Sequence, residues 1–341
     1  MGKFFGFLFF LVIVLGAAAG GAWFYGQHVY AQPGPASADG AVRVVMIEPG
    51  SSVPAITDKL LEAGALKDGL PFQLAVRLTN SRPRLKAGEY EIKSGASIKN
   101  IIQQLVEGRV VLHAVTAPEG LTSAMILRII GAADILSGEL SEVAPAEGVL
   151  LPDTYMVHRG ETRAAVVERM VKAQQNLMAE LWPNRQDGLP FKTQQEAIIL
   201  ASVVEKETGN ASERPEVAAV FVNRLRRGMR LESDPTIIYG ISKGEPLGRP
   251  IFRSELDRKT AWNTYQMDGL PETPICNPGA DAIRAVLNPP VSKALFFVAD
   301  GTGGHAFADT YADHQKNVAL YRKIRAANEA AGVNTPAVRS P

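Results

Sequence analysis

One carboxylate occupies a position on a predicted helix that calls for a chemical explanation. Apolar residues recur at helical spacing through residues 198–208, and at about 100° per residue they form one stripe. Glu207 falls on this stripe, four residues after Val203, whereas Glu205 is predicted on the opposite, polar side. Burial disfavours the charged form of a carboxyl group, so a buried Glu can keep its proton at neutral pH. Glu207 is therefore a candidate general acid.

An ion pair is the structural alternative for the same residue. Arg214 and Arg224 both follow closely in the sequence, and either could neutralise a buried carboxylate. Helical spacing alone does not distinguish a catalytic acid from a paired structural Glu.

Other reactive side chains give weaker signals. Cys276 is the only cysteine, which excludes an internal disulfide and a cysteine metal cluster. It lies in a proline-bounded turn with no His nearby, so we expect a small buried residue and not a nucleophile. His305, Asp309 and His314 match no compact ligand spacing, and we predict no metal site.

The charge balance limits the classes of partner. There are 36 Lys and Arg residues against 35 Asp and Glu residues. This balance argues against a nucleic-acid binder whose affinity rests on a basic face. A large, weakly charged substrate fits the composition better.

The N-terminus carries an apolar segment long enough to cross a bilayer. Residues 4–25 contain no charge, Lys3 precedes them, and Trp23 and Tyr25 mark the far end. We predict a single-pass helix with residues 1–3 in the cytoplasm and the rest of the chain exported. A cleaved signal peptide, with residues 17–19 as the cleavage region, is the alternative, and it also exports the chain.

A small domain with an internal repeat is predicted after the helix. Residues 26–40 form a linker, and residues 41–112 contain a strand, a Gly/Ser turn and a helix twice over. The two turns, at residues 47–52 and 92–97, resemble the LysM class of glycan-binding modules. A small α+β domain that only spaces the rest of the chain from the membrane is the alternative.

A larger mixed α/β domain is predicted at residues 113–330, followed by a disordered tail at 331–341. The fold class is therefore α+β, with the candidate Glu on a helix of the larger domain. The predicted helices of this domain are residues 163–178, 194–208, 217–228 and 312–328, and its predicted strands are residues 111–116 and 294–299.

Several distinctive sequence blocks occur in the larger domain. They are an E-K-E-T motif at residues 205–208 and the segments 149–155, 211–240, 261–265, 269–279 and 297–307. Together these blocks closely resemble the endolytic murein transglycosylase family, the YceG-like or MltG-type proteins. The resemblance implies that the second Glu of the motif, Glu207, is the catalytic acid. It also implies cleavage within peptidoglycan strands, at the β-1,4 bond between N-acetylmuramic acid and N-acetylglucosamine, giving 1,6-anhydro ends without a cofactor or metal.

A single carboxyl group is sufficient for this reaction. Glu207 would protonate the leaving oxygen, and the 2-acetamido group of the substrate can stabilise the oxocarbenium-like centre. The ionised Glu207 would then accept the proton of the C6 hydroxyl as that oxygen closes on C1. The carboxylate pair of ordinary glycosidases is not required.

Polar residues in the same blocks are candidates for substrate binding. Each could equally cap a turn or be a satisfied core polar group, and we expect about half to contact sugar. The candidates are Ser212, Glu213, Asn223, Asp234, Tyr239, Asn263, Tyr265 and Asn277.

The sequence thus predicts a lytic transglycosylase anchored in the cytoplasmic (inner) membrane, with its catalytic domain in the periplasm. The resemblance further implies that it terminates nascent strands near the peptidoglycan synthases, the penicillin-binding proteins. Two alternatives remain open, a non-catalytic peptidoglycan-binding scaffold and a hydrolytic glycosidase of the lysozyme type.

Overall fold

The protein contains both helix and sheet, as the sequence predicts. The computed structural model describes residues 2–37 and 40–330, so the predicted tail at 331–341 lies outside the described residues. The chain forms two compact units. The first comprises the chain up to His113 together with Met156–Glu161, and the second comprises Ala114–Tyr155 and the chain from Thr162 onward.

Helix α1 (Gly2–Ala31) is the N-terminal apolar helix. Its side chains from Phe4 onward are largely exposed, and within the described residues it is the one helix long and apolar enough to cross a membrane. The helix continues through residues 26–31, which the sequence assigns to the linker. No proline interrupts the helix before Pro33, and the residue before a proline disfavours helical geometry.

The first unit packs three further helices against one two-stranded antiparallel sheet. The register pairs Val45 with Tyr90, and both side chains are buried. The elements are β1 (Arg43–Ile47), α2 (Val53–Glu62), α3 (Gly69–Leu78), β2 (Gly88–Ile92) and α4 (Ile98–Glu107).

The predicted repeat corresponds to β1–α2 and β2–α4. Ser52 and Ser97 cap α2 and α4 with nearly identical backbone angles, φ −73° and ψ 157° against φ −72° and ψ 158°. Each hydroxyl accepts a hydrogen bond from the backbone N–H three residues later, which satisfies an otherwise unpaired helix donor. Helix α4 then ends at Gly108, whose φ of 75° suits a residue without a Cβ. Glycan binding by this unit stays a prediction.

The second unit is mainly helical. Two further two-stranded sheets pair β3 with β4 and β5 with β6, and the bounds of β3 and β4 extend past this unit by one and two residues. The elements in chain order are β3 (His113–Thr116), α5 (Ser123–Gly131), β4 (Thr154–Val157), α6 (Arg163–Leu181), α7 (Gln194–Glu207), α8 (Arg214–Arg226), α9 (Asp234–Ser242), α10 (Arg253–Leu256), α11 (Ala280–Leu287), β5 (Phe296–Ala299), β6 (His305–Ala308) and α12 (Tyr311–Ala330).

Helix α7 runs through the core of this unit and positions the candidate acid. It begins at a capping box in which Thr193 and Glu196 each satisfy a backbone N–H of the other. Its central residues are buried against α8, α9 and α11. It ends at Glu207, because the following residue, Thr208, has extended backbone angles. The buried helix therefore fixes the position of the Glu207 backbone and the direction in which its side chain leaves the helix.

Candidate active site

Glu207 is the last residue of α7 and is only 9% exposed. Its Oε1 accepts a hydrogen bond from the hydroxyl of Ser233. Ser233 occupies the N-cap position of α9, where a serine hydroxyl normally accepts from its own helix. Here the hydroxyl makes no such bond and points to Glu207 instead. The local capping interaction is replaced by a contact with the candidate acid.

A buried hydroxyl network holds Ser233 in place. The Ser233 backbone N–H donates to Oγ1 of Thr264 at 2.9 Å, and Oγ1 of Thr236 donates to the Ser233 carbonyl at 2.6 Å. The two threonine hydroxyls are 2.9 Å apart, and both residues are fully buried. Ser233 is therefore a fixed hydrogen-bond donor and not a mobile surface serine.

Asp234 and Tyr265 form a second polar pair beside Glu207. The Tyr265 hydroxyl donates to Oδ1 of Asp234 at 2.9 Å. Burial raises the pKa of Tyr265, and the negative charges of Asp234 and Glu207 raise it further. Tyr265 consequently stays neutral and remains a donor at any physiological pH.

Arg224 places a positive charge near Glu207 and Glu232. Its guanidinium is buried, donates to the carbonyls of Leu295 and Leu231, and pairs with Glu232 at 3.3 Å. Burial lowers the pKa of Arg224, while the carboxylates of Glu232 and Glu207 act in the opposite direction. The site thus combines a buried acid with a fixed cation.

The prediction that Glu205 faces a polar side of the helix is wrong. Its side chain is 4% exposed, because Arg214 and the loop at Gly279 cover that face of α7. Arg214 donates to Oε1 of Glu205 at 3.1 Å, and the Gly279 N–H donates to Oε2 at 2.9 Å. Burial raises the pKa of Glu205, and these two contacts oppose that shift. The ion pair considered for Glu207 is thus formed by its neighbour.

Ser212 and Glu213 lie on the short 3-10 turn that follows α7. The Ser212 hydroxyl is exposed and donates to Oδ1 of Asn210 at 2.8 Å. Glu213 accepts from the backbone N–H of His305 at 2.9 Å and lies 2.7 Å from its Nδ1. A Cβ at Gly304 would lie 2.6 Å from Oε1 of Glu213, so a side chain there would displace the Glu213 carboxylate. The hydrogen bonds of Glu213 to His305 therefore fix the position of this turn.

Three of the predicted substrate residues have side-chain amides engaged within the protein. Asn277 is fully buried, and its Oδ1 accepts from the backbone N–H groups of Gly148 and Leu150 at 3.0 Å each. Asn263 donates to three backbone carbonyls within residues 255–258. Asn223 donates to the carbonyls of Ser292 and Ala294. Each of these amides connects two segments of the chain by hydrogen bonds to backbone groups.

Tyr239 is buried beside an aromatic and a cationic neighbour. Its ring packs edge-on against Trp262 at 5.5 Å, and the Lys243 ammonium lies 3.5 Å from the Trp262 ring centre. Burial raises the pKa of Tyr239 to about 12, with a further contribution from the charge of Glu147. A small cavity of about 70 Å³ beside Tyr239 is also lined by Lys206.

Cys276 is fully buried, as expected from the sequence. Its thiol donates to the carbonyl of Ser202 at 3.4 Å, and burial raises its pKa well above the ordinary value. A thiol in this state is a poor nucleophile. Among residues 2–37 and 40–330, no group of three or more His, Cys, Asp and Glu side chains is arranged to hold a metal ion.

Sequence reasoning named Asp234 and Tyr265 but missed other residues that surround Glu207. Ser233 could have been predicted as a helix N-cap, since Ser-Asp-Pro is a typical helix start. Its hydroxyl direction was not findable, because it depends on packing between α7 and α9. The same holds for the buried threonines and for Arg224, which the sequence suggested only as an ion-pair partner.

Comparisons with known proteins cover most of the chain. The sequence model of the YceG-like family matches residues 45–320. An endolytic murein transglycosylase of Streptococcus pneumoniae is 30% identical over 91% of this chain, which spans 64% of that protein's length. An endolytic murein transglycosylase of Bacillus subtilis is 27% identical, with 87% of this chain and 89% of that protein covered.

A solved structure also matches. The crystal structure of a YceG-like protein from Listeria monocytogenes is 26% identical, with a TM-score of 0.49, and covers 81% of this chain and 98% of that one. The match of the family's sequence model carries the assignment, since it extends from β1 into α12 and includes every predicted site residue. The chain therefore belongs to the YceG-like family.

Proposed function

We propose that this protein is an endolytic peptidoglycan lytic transglycosylase and that Glu207 is its catalytic acid and base. The observation that carries the proposal is the buried carboxyl group at the end of α7, held by the redirected hydroxyl of Ser233. The relatives from S. pneumoniae and B. subtilis bear the name of this activity. Cleavage then occurs between N-acetylmuramic acid and N-acetylglucosamine, within the strand.

The environment of Glu207 supports both halves of the reaction. Burial and the carboxyl end of a helix disfavour a negative charge, which helps the group hold a proton before the reaction. The hydroxyl of Ser233 and the guanidinium of Arg224 stabilise the carboxylate once the proton has left. We therefore assign both forms of Glu207 to the reaction, the protonated acid before the bond breaks and the carboxylate after it.

Every bond and proton in the proposed reaction is accounted for without a water molecule. Glu207 donates its proton to the bridging oxygen, the bond from C1 of N-acetylmuramic acid to that oxygen breaks, and the departing sugar keeps a free hydroxyl. The C6 hydroxyl of the same N-acetylmuramic acid forms the new bond to C1 and returns its proton to Glu207. The enzyme regains its starting state, and the product carries a 1,6-anhydro ring.

The predicted substrate residues separate into two groups. Asp234, Tyr265, Ser212 and Glu213 lie on the segments that follow or face Glu207, so we assign sugar contacts to them. Three other side-chain amides form hydrogen bonds with backbone groups, so we assign these residues to positioning the loops. They are Asn223, Asn263 and Asn277. Tyr239 belongs with the second group, because its ring is buried against Trp262.

The N-terminal helix supports membrane anchoring. We place α1 across the cytoplasmic membrane with the rest of the chain in the periplasm, since Lys3 precedes the apolar segment and Trp23 follows it. In this arrangement the enzyme cuts strands close to the membrane, near the synthases that polymerise them. The repeat unit of β1–α2 and β2–α4 is our candidate for a LysM-like glycan contact.

Product analysis tests the reaction type. Purified glycan strands are digested in isotopically labelled water, and the new ends are analysed by mass spectrometry. We expect 1,6-anhydro ends without label, because the attacking oxygen comes from the sugar. Labelled reducing ends would replace this proposal with a hydrolytic glycosidase, and unchanged strands that still bind the protein would replace it with a scaffold.

A further inference from the structure

Helix α3 presents a stripe of leucines that are not buried in the hydrophobic core of the first unit. Leu70, Leu74 and Leu78 are spaced four residues apart and therefore share one face. They are 62%, 49% and 79% exposed. The opposite face supplies Phe72 and Val76, which are buried in the core of the first unit. Three exposed leucines in a row indicate a surface with an apolar partner.

The stripe faces the end of the membrane helix. The last turns of α1 and the exposed face of α3 together line an open, mainly apolar cavity of about 480 Å³. Both helices belong to the same compact unit. The aromatic and leucine residues that line this cavity are Trp23, Tyr25, Tyr30, Leu70, Leu74 and Leu78.

The length of α1 sets the level of this cavity relative to a bilayer. Residues 4–25 are about 33 Å long in a helix, which matches a hydrocarbon core of about 30 Å. Trp23 and Tyr25 then lie at the boundary between acyl chains and headgroups, where such side chains concentrate. The leucine face of α3, which lines the same cavity, lies at that boundary as well.

Positive charges follow the stripe. Arg77, Arg82 and Arg84 are exposed, and residues 77–86 contain no Asp or Glu. Lys86 is also exposed at the end of this segment. Leucines on one face with arginines beside them are the pattern of a helix that lies in a membrane surface and attracts anionic headgroups.

We propose that α3 is an interfacial membrane helix, with Leu70, Leu74 and Leu78 inserted between lipids beside the end of α1. The arginines of residues 77–84 then contact anionic headgroups. The proposal rests on α1 spanning the bilayer, as proposed above, but not on the chemistry of Glu207. It fixes the first unit to the bilayer at two helices, so that this unit is not a freely swinging tether.

Depth-dependent quenching tests the proposal on the full-length protein. Cys276 is fully buried, so an introduced surface cysteine can be labelled selectively with a fluorophore. The protein is reconstituted in vesicles of phosphatidylethanolamine and phosphatidylglycerol, some with brominated acyl chains. Leu74→Cys reports on α3, and Val14→Cys reports on the middle of α1.

Val44→Cys is the matched control. Val44 is an apolar residue of the same unit, 57% exposed, and points away from the core on β1. We expect brominated lipid to quench the label at position 74 at least about twofold more than the label at position 44, and aqueous iodide to show the reverse order.

Equal quenching at positions 74 and 44 would overturn the proposal. Protection of position 74 from both quenchers would also overturn it, because a second copy or another protein would then cover the stripe. Failure of brominated lipid to quench position 14 would remove the membrane anchor and the docking together. Release of anhydro ends, measured on the same vesicles, reports separately on the proposed reaction.

Discussion

Glu205 and Glu207 are two residues apart on α7, and both are buried, yet their carboxyl groups have different kinds of partner. Glu205 is neutralised by Arg214 and the backbone N–H of Gly279. Glu207 receives the hydroxyl of Ser233, which gives up its usual capping interaction to reach it. The first arrangement contains a buried ion pair, and the second places a serine hydroxyl on the carboxyl group that we propose as the catalytic acid.

Arg214→Ala should destabilise the protein. The substitution leaves Glu205 buried without its cation, and breaking a buried pair in this way typically costs about 3–5 kcal/mol. Thermal unfolding followed by tryptophan fluorescence measures the loss. Arg226→Ala is the control, because Arg226 is exposed and its guanidinium donates to the Gly188 carbonyl. Equal stability of the two variants would contradict the structural role of Glu205.

Ser233→Ala should slow the reaction without unfolding the protein. A hydrogen bond to a charged group contributes about 1.5–3 kcal/mol, which corresponds to a rate loss of roughly ten- to a hundredfold. The alkaline limb of the pH–rate profile should move to higher pH, because the ionised carboxylate loses a donor.

Ser242→Ala is the control for this prediction. Ser242 lies in the same helix, α9, and its hydroxyl donates to the backbone carbonyls of Ile238 and Glu245. Its rate and pH profile should match those of the unsubstituted protein. A pH profile of Ser233→Ala that does not move would show that Ser233 has only a structural role.

Asn277→Ala should lower stability and leave the activity of each folded molecule unchanged. It removes the acceptor for the Gly148 and Leu150 N–H groups, and each unpaired buried donor costs about 1–3 kcal/mol. We therefore expect a total loss of about 2–6 kcal/mol in denaturant unfolding. Asn184→Ala, at an exposed turn, is the control. Full stability with lost substrate binding would instead place Asn277 in the groove.

Glu147→Gln should change the pH dependence of stability. Burial raises the pKa of Glu147 above its usual 4.5, against the opposing hydrogen bonds of Ser123. Between that value and the folded pKa, the folded protein binds more protons than the unfolded chain. The stability that Glu147 provides is therefore complete below pH 4.5 and is lost as the pH rises through its folded pKa.

Melting temperatures of both proteins across this range measure the effect. The unsubstituted protein should lose stability relative to Glu147→Gln as the pH rises from about 4.5 toward neutrality. A constant difference between the two proteins would mean that Glu147 keeps an ordinary pKa.

Local signals in the sequence located most of the elements but not the contacts between them. Helices α4 and α7 are preceded by their own capping residues, Ser97 and Thr193. The strand at residues 42–47 is a β-branched run and the strand at residues 88–92 alternates polar and apolar residues, so the bounds of these elements were predictable. Helix α3 was missed because its leucines follow a face that the unit does not bury. Helix α11 was missed because it is short, at eight residues.

In the site, too, local sequence patterns predicted single residues but not the contacts between distant segments. Helical periodicity identified Glu207 as buried, and the structure has it so. The same periodicity put Glu205 on a polar face, since spacing along one helix carries no information about a loop from residues 277–279 that covers it. The direction of the Ser233 hydroxyl likewise depends on two helices distant in sequence.

Glu207→Gln tests the central claim most directly. The amide has nearly the shape of the carboxyl group but cannot donate an acidic proton or take one back. Glycan strands are incubated with the unsubstituted protein or with the variant, and new anhydro ends are counted by mass spectrometry, after equal melting temperatures have established that both are folded. We predict no anhydro ends from Glu207→Gln, whereas anhydro ends released at the normal rate by this folded variant would contradict the assignment of Glu207 as the catalytic acid.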